Sequence, residues 1–331
     1  MKAQAPRLPD AFVQRLRETW GPLEVDRMLA GMRAPRPVTL RVNTLRTNVR
    51  TVIATLWDAG IKVERVSWYA DALIVKNARE ARLEALPEYR EGHFYLQSLS
   101  SMVPPLVLAP RPGERVLDVA AAPGSKTTQM AAMMENRGAI LAIDTSAVRA
   151  ERLRFNLQRQ QVTIAEVRVG DGRRLGPGSR EQFDRVLLDA PCSGEGRFVM
   201  GDVSTYRHWS ERLVRRLVPL QRQLLSSALR AVKPGGVVVY STCTINPEEN
   251  EGVVEWALRR YGDAVEVLPI ELALPARWPG LTGGGGHPAL RLALRIPPSA
   301  TMEGFFVCKL RVKRPLEAAP PDGAPEEAQR S

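Results

Sequence analysis

From Arg115 onward, short runs rich in β-branched residues alternate with segments whose apolar residues recur at helical spacing. RVLDVA (115–120) precedes a helix predicted from Ser125, AILAID (139–144) one over 146–160, and FDRVLLDAP (183–191) a long one over 210–232 ended by KPGG. VRVGD (167–171) supplies a further strand, and VVVYSTC (237–243) another, followed by a helix over 247–261. Strands this apolar have two faces to bury, and helices crossing between parallel strands bury them. The pattern predicts an α/β fold with a mostly parallel sheet that binds its ligand at the carboxyl ends of the strands. RLALRIPP (291–298) and FFVCKLRV (305–312) are expected to close the sheet, the latter antiparallel to its neighbours.

A different rhythm comes first. Residues 10–33 show helical spacing through Phe12, Val13, Leu16 and Trp20, then Val25, Met28 and Leu29. VTLRVN (38–43), a helical 47–60, IKVERVSW (61–68) and ALIVK (72–76) read as strand, helix, strand, strand, a small α+β module. Residues 93–110 read as a helix leading into the larger unit. The expected division is therefore 1–92, 93–314 and a tail over 315–331, whose Pro, Ala and acidic composition without apolar period predicts disorder.

No apolar run approaches the ~18 residues of a membrane span, and the charged, proline-bearing N-terminus lacks the apolar stretch of a secretory signal. The three cysteines, Cys192, Cys243 and Cys308, are odd in number and in no metal-ligand spacing, so neither a disulfide framework nor a metal site is supported and a reducing cytoplasm is expected. A net charge of +11, with arginine far outnumbering lysine, favours a polyanionic partner, although an arginine-rich composition alone produces the same balance.

LDVAAAPGSKT (117–127) places a strand, a turn of small residues and a helix start in succession, where backbone can approach a ligand. It is neither GxGxxG nor a Walker lysine pattern, which disfavours phosphate binding. Asp144, Asp171 and Asp189 each follow an apolar strand run, and acids there point into the crevice at the sheet's carboxyl edge. One alone is as readily a helix cap. Three together suit a nucleoside without a diphosphate, S-adenosylmethionine before NAD.

Cys192 in LLDAPCSGEG and Cys243 in VVVYSTCTINPEEN leave two strand ends in loop-like surroundings of Pro, Ser, Gly and Thr, whereas Cys308 lies in an apolar run and reads as core. Carbon 5 of cytosine is a poor nucleophile toward a sulfonium methyl until a thiolate adds at carbon 6. Asp189 is placed to hold ring nitrogen 3 or the exocyclic amine, and Cys192 or a water beside it is a candidate base for the carbon 5 proton.

RVNT (41–44), YLQSLSSMVP (95–104), DVAAAPGSKT (118–127), AID (142–144), GD (170–171), DAPCSGEG (189–196), STCTINPEENE (241–251) and GFFV (304–307) together resemble the Sun (NSUN) family of RNA cytosine-5 methyltransferases, bacterial ribosomal-RNA type. The resemblance covers about residues 38–312. It implies a Rossmann-like S-adenosylmethionine methyltransferase domain behind a small RRM-like RNA-binding domain. It further implies Cys243 as nucleophile and Cys192 as the product-release cysteine. The cofactor loop it implies is Ala120, Ala121, Ala122, Pro123, Gly124, Ser125 and Lys126, with Asp144, Arg149, Asp171 and Asp189 beyond it. Family members often carry Cys at Ala120, Gly at Ser125 and Asp at Glu303, small or like-charged changes. The ordered chain is expected to end near residue 314, without the C-terminal extension of some members.

Ribosomal RNA is the first substrate expected and transfer RNA the second, for a monomer without membrane contact. A noncatalytic RNA-binding assembly factor is the rival from another class. A DNA cytosine methyltransferase would want Pro-Cys-Gln where Ser193 follows Pro-Cys, and an adenine-amino methyltransferase Asn-Pro-Pro-Tyr where DAPC stands. Arg41 and Asn43 are read equally as RNA contacts or as exposed polar positions. Arg149, Arg152, Arg154 and Arg159 on one predicted helix are read as a phosphate-facing strip or a solvated face, and 196–209 as a candidate substrate loop.

Overall fold

The computed structural model describes residues 7–175 and 180–316, so nearly all of the tail predicted to be disordered lies outside the described residues. The chain opens with two helices, α1 (Asp10–Thr19) and α2 (Pro22–Arg33). The small module follows as β1 (Thr39–Val42), α3 (Val49–Asp58), β2 (Val63–Arg65), β3 (Ala72–Val75), the short α4 (Glu80–Glu84) and α5 (Pro87–Arg90), and β4 (Phe94–Leu96). Its four strands are antiparallel in the order β2-β3-β1-β4, a ferredoxin-like arrangement.

Side-chain alternation assigns the faces of this sheet. Leu40, Val42, Leu73 and Val75 pack under Val52 and Leu56 of α3, whose first turn is capped by Asn48 accepting from the Thr51 amide at 3.0 Å. Ala72 and Ile74 point the other way and join the core beneath α6 (Leu99–Leu108) and α7 (Ser125–Met133). The sheet is thus covered on both sides. The face on which an RRM stacks bases is docked against the larger unit here.

Three expectations are corrected by this packing. The module does not end at residue 92: Phe94–Leu96 pairs with β1 in the register Leu40↔Leu96, and Phe94 is buried in the module core. Arg41 and Asn43 are not surface contacts. Arg41 is 1 % exposed and its guanidinium donates to Gln97 Oε1 and Thr128 Oγ1, both at 2.9 Å, while Asn43 Nδ2 donates to the carbonyls of Gly92 and Gln160 at 2.9 Å. Burial drives the Arg41 pKa down, but its hydrogen bonds stitch the module to α7. Finally, α1 and α2 belong with the larger unit: Phe12, Leu16, Met28 and Met32 share a core with Phe198, Tyr206 and Ile245. Phe12 and Phe198 lie 5.0 Å apart between ring centroids.

The larger unit contains β5 (Arg115–Asp118), β6 (Ala139–Asp144), α8 (Ala147–Arg159), β7 (Ala165–Val169), β8 (Phe183–Asp189), α9 (Glu211–Ala231), β9 (Val232–Thr242), α10 (Glu251–Tyr261), β10 (Val265–Leu268), β11 (Trp278–Pro279), β12 (Leu294–Ile296) and β13 (Phe305–Val312). The strand order is β11-β12-β13-β9-β8-β5-β6-β7, with β10 also on β13. Strands β9, β8, β5, β6 and β7 run parallel to one another, and β13 is antiparallel to β9, β10 and β12. After β7 the chain crosses back to β8 on the far side of β5, so the order reverses at β5, the position that opens a crevice at the strands' carboxyl ends. Helices α9 and α10 cover one face, α6 and α7 the other. Among the described residues no helix is long and apolar enough to cross a membrane.

Candidate active site

A cavity of about 930 Å³ opens at the carboxyl ends of β5, β6, β8 and β9. Its floor begins where β5 ends. Beyond Asp118 the backbone keeps bonding sideways, Val119 N to Leu187 O at 3.0 Å and Ala121 N to Ile143 O at 2.8 Å, before Gly124 turns it into α7. Gly124 has φ +105°, and a Cβ there would also meet Leu153 Cδ1 at 2.7 Å, so only glycine serves. Ala120 and Ala122 line the cavity, whereas Ala121, Pro123, Gly124 and Ser125 are not among its lining residues. Lys126 is buried, its ammonium 2.7 Å from Asp189 Oδ2 and 2.8 Å from Ser101 Oγ. Asp118 is buried beneath the loop, accepting from Thr127 Oγ1 at 2.7 Å, and burial lifts its carboxyl to about 7.

The three predicted acids stand around this rim. Asp144 ends β6, nearly covered, and accepts from Ala122 N at 3.3 Å and Ser146 N at 3.0 Å. Arg149 from the first turn of α8 closes over it, 3.3 Å from the carboxylate and 2.8 Å from Ala122 O. Asp171 lies two residues beyond β7, and the Arg173 guanidinium at 2.6 Å holds its carboxyl below the usual range. Asp189 ends β8, with Ser241 Oγ donating at 2.8 Å to one oxygen and Lys126 paired to the other. Of the other α8 arginines, Arg154 pairs with Glu151 on the exposed face, and Arg159 stacks 4.3 Å over Tyr89 of the small module.

Strands β8 and β9 are parallel neighbours, with Asp189 opposite Ser241, so the loops leaving them start side by side. Cys192 and Cys243 both line the cavity, their sulfurs 3.3 Å apart. The contact with Cys243, reinforced by burial and by the charges of Glu249 and Asp189, pushes the Cys192 thiol well above its ordinary value, and either sulfur can donate in the S–H···S contact between them. Cys308 is fully buried in β13, where burial likewise raises it.

Two buried carboxylates knit the thiol loops together. Glu249, fully buried, accepts from the Ser193 amide and from Gln221 Nε2, each at 2.9 Å, and from the Ser193 hydroxyl. Glu195, also fully buried, lies 2.6 Å from Arg15 of α1 and accepts from Trp209 Nε1 at 2.8 Å. Between them Gly196 N donates to the carbonyl of Cys243 at 3.0 Å, and Gly304 N donates to Gly196 O at 2.9 Å. Sequence reading passed over Arg15, Arg36, Asp118, Arg173, Glu195 and Glu249. Glu195 and Glu249 belong to the segments DAPCSGEG and STCTINPEENE, yet an acid in a polar loop gives no sign of being buried; Arg15 meets Glu195 across 180 positions. The 196–209 stretch divides its work: Arg197, Val199, Ser204 and Thr205 line the cavity, while Phe198, Tyr206 and Trp209 pack against α1.

Comparison with known proteins fits this geometry. Residues 105–311 match the family described as 16S rRNA methyltransferase RsmB/F, and residues 8–82 match its ferredoxin-like domain. The ribosomal RNA small subunit methyltransferase F of Cronobacter sakazakii is 40% identical over 321 residues, covering 95% of this chain and 65% of that protein. Its Escherichia coli counterpart is 40% identical over 323 residues, covering 94% and 65%. The chain thus spans about two thirds of the length of these curated relatives, just under it at 65%. A crystal structure of a methyltransferase homolog from Pyrococcus horikoshii is 34% identical with a TM-score of 0.74, covering 92% of this chain and 100% of that one.

Proposed function

The chain belongs to the RsmB/F family of 16S rRNA methyltransferases, and from that premise we propose that it methylates carbon 5 of cytosine in ribosomal RNA, with S-adenosylmethionine as donor and Cys243 as nucleophile. The observation that carries the reading is the pair of sulfurs 3.3 Å apart in the wall of one cavity that also holds Asp144, Asp171 and Asp189. Ribosomal RNA stands first because both curated relatives bear that name.

S-adenosylmethionine suits the β5–β6 side. Ala120, Ala122 and Gly172 leave room there, and the volume lies within the range of small-molecule sites. Asp144 is the acid for ribose hydroxyls, Arg149 bridges it to the loop, and Asp171 faces the base. Bound there, the cofactor supplies a methyl group activated by its sulfonium.

The protein's own groups do the rest. The Cys243 thiolate adds to carbon 6, the electrons of the 5,6 double bond move toward carbon 5, and ring nitrogen 3 takes a proton. Asp189, steadied by Lys126 and Ser241, orients that edge of the ring. After methylation, loss of the carbon 5 proton returns electrons to the ring and expels Cys243 as thiolate. Cys192 is the base for that step. While Cys243 is free, their mutual hydrogen bond holds the Cys192 proton in place. Once Cys243 sulfur is bonded to carbon 6 it is a weaker acceptor, so Cys192 releases its proton to water and the resulting thiolate takes the proton from carbon 5.

The test is a pair of variants incubated with methyl-labelled S-adenosylmethionine and small-subunit ribosomal RNA. Cys243→Ala is expected to abolish transfer, and Cys192→Ala to accumulate a protein–RNA adduct that survives denaturant. Methyl transfer by Cys243→Ala at the wild-type rate would overturn the reading, and no transfer by the intact protein would favour the assembly-factor alternative.

A further inference from the structure

The charges around the cavity are not evenly matched. On the β5–β7 side each guanidinium has its own carboxylate: Arg149 lies 3.3 Å from Asp144 and Arg173 lies 2.6 Å from Asp171. On the thiol side two arginines, Arg36 and Arg197, share a single carboxylate, Glu303, from which Arg197 Nε is 3.8 Å away. Glu303 is itself engaged by Ser98 Oγ at 3.1 Å. Arg36 comes from the connector between α2 and β1, outside both the cofactor loop and the thiol loops. Its guanidinium makes one long bond, Nη2 to Phe198 O at 3.4 Å, and among the described residues its buried Nε has no hydrogen-bond partner. A guanidinium carries five donors in a planar fork suited to a phosphate or carboxylate. Held in a cavity wall beside a second arginine and satisfied so little by its own chain, it is built for an anion that is not part of the protein. Burial lowers the pKa of Arg36 and Glu303 opposes that shift, so an anion here also relieves the cost of holding the charge.

We infer that Arg36 and Arg197 form a subsite for the phosphate of the nucleotide whose base reaches Cys243. The inference rests on the reading of this cavity as the place where cytosine meets the thiols. Arg197 is five residues beyond Cys192 in the same loop, so a phosphate held by both arginines is anchored to the loop that carries the second thiol. The linker ahead of the small module then contributes directly to nucleotide recognition, although the sheet of that module does not. The alternative anion is the carboxylate of S-adenosylmethionine, which would engage the same fork from the other side of the cavity.

The experiment measures binding of cytidine 5′-monophosphate and of cytidine to the full chain by titration calorimetry, for wild type, Arg36→Ala, Arg36→Lys and Arg197→Ala, with the fold of each checked by circular dichroism. The wild type is expected to prefer the monophosphate by tenfold or more. Arg36→Ala should lose roughly 10- to 100-fold of monophosphate affinity, as for a lost charge-assisted hydrogen bond, and leave cytidine unchanged; Arg197→Ala should move the same way, and Arg36→Lys should retain part of the preference. Equal affinity for the two ligands in the wild type, or an Arg36→Ala effect confined to S-adenosylmethionine, overturns the inference. Should the intact protein make no 5-methylcytosine while the monophosphate preference persists and depends on Arg36, the proposed reaction falls and the phosphate subsite stands.

Discussion

Arg15→Ala is the substitution whose consequence follows most directly from the structure. It removes a guanidinium 2.6 Å from Glu195, a carboxylate with no solvent exposure, while Arg15 itself is 19% exposed. Breaking a buried pair on one side leaves an uncompensated charge and costs about 3–5 kcal/mol. Trp209 Nε1 at 2.8 Å and Asn246 Nδ2 at 3.4 Å still donate to that carboxylate, which places the loss near the lower end, about 3 kcal/mol at pH 8. The pH dependence has a definite sign. Burial already raises the Glu195 carboxyl, and Arg15 opposes the rise, so removing Arg15 raises it further. A carboxyl whose folded pKa exceeds its unfolded value of ~4.3 holds a proton more readily in the fold, and stability falls as pH climbs between those two values by about 1.4 kcal/mol per unit. The deficit of the variant is therefore greatest at high pH. Near pH 4 it shrinks to the packing lost where Arg15 covers Phe12 and Trp209. Urea unfolding at pH 8, 6 and 4.5 measures this. A deficit constant across that range, or one under about 1 kcal/mol at pH 8, refutes the reasoning. Adding Glu195→Gln to Arg15→Ala should restore most of the loss at pH 8 and flatten the profile.

Gly196→Ala would place a Cβ 1.9 Å from Gly304 O and force the Gly304 segment away from the loop whose Gly196 amide bonds to the Cys243 carbonyl. A loss of about 1–3 kcal/mol in denaturant unfolding is expected, and an unchanged midpoint would show that the loop yields freely. Asp118→Asn keeps an acceptor for Thr127 but removes a carboxyl that burial lifts to about 7. That carboxyl lowers stability progressively from its unfolded value up to pH 7, by roughly 4 kcal/mol at most, so the variant should be more stable than wild type at pH 8 and equal to it near pH 4. Equal stability at both pH values would mean that the acid is ionised without penalty.

The parallel sheet was readable because its strands are long apolar runs separated by helices, and β6 and β8 lie within the runs AILAID and FDRVLLDAP. The strand β4 was not, since three residues, Phe94–Leu96, run straight into an apolar helix and a run that short does not separate strand from helix. Periodicity marked the apolar stripes of α1 and α2, but a stripe does not name what covers it; the partners Phe198, Tyr206 and Ile245 are distant in the chain. The same limit governs the site. Residues displayed at strand ends, Asp144 and Asp189, announce their direction by position, whereas Arg41 was misjudged because alternation gives its face and not the docking that buries it.

The docking of α1 and α2 on the thiol loop makes the ferredoxin-like module an insertion within a single physical body, entered through residues 34–38 and left through 97–98. Such a module is tethered twice. Any swing it makes when a large ligand arrives is confined to an arc about those two short crossings, and one of them carries Arg36.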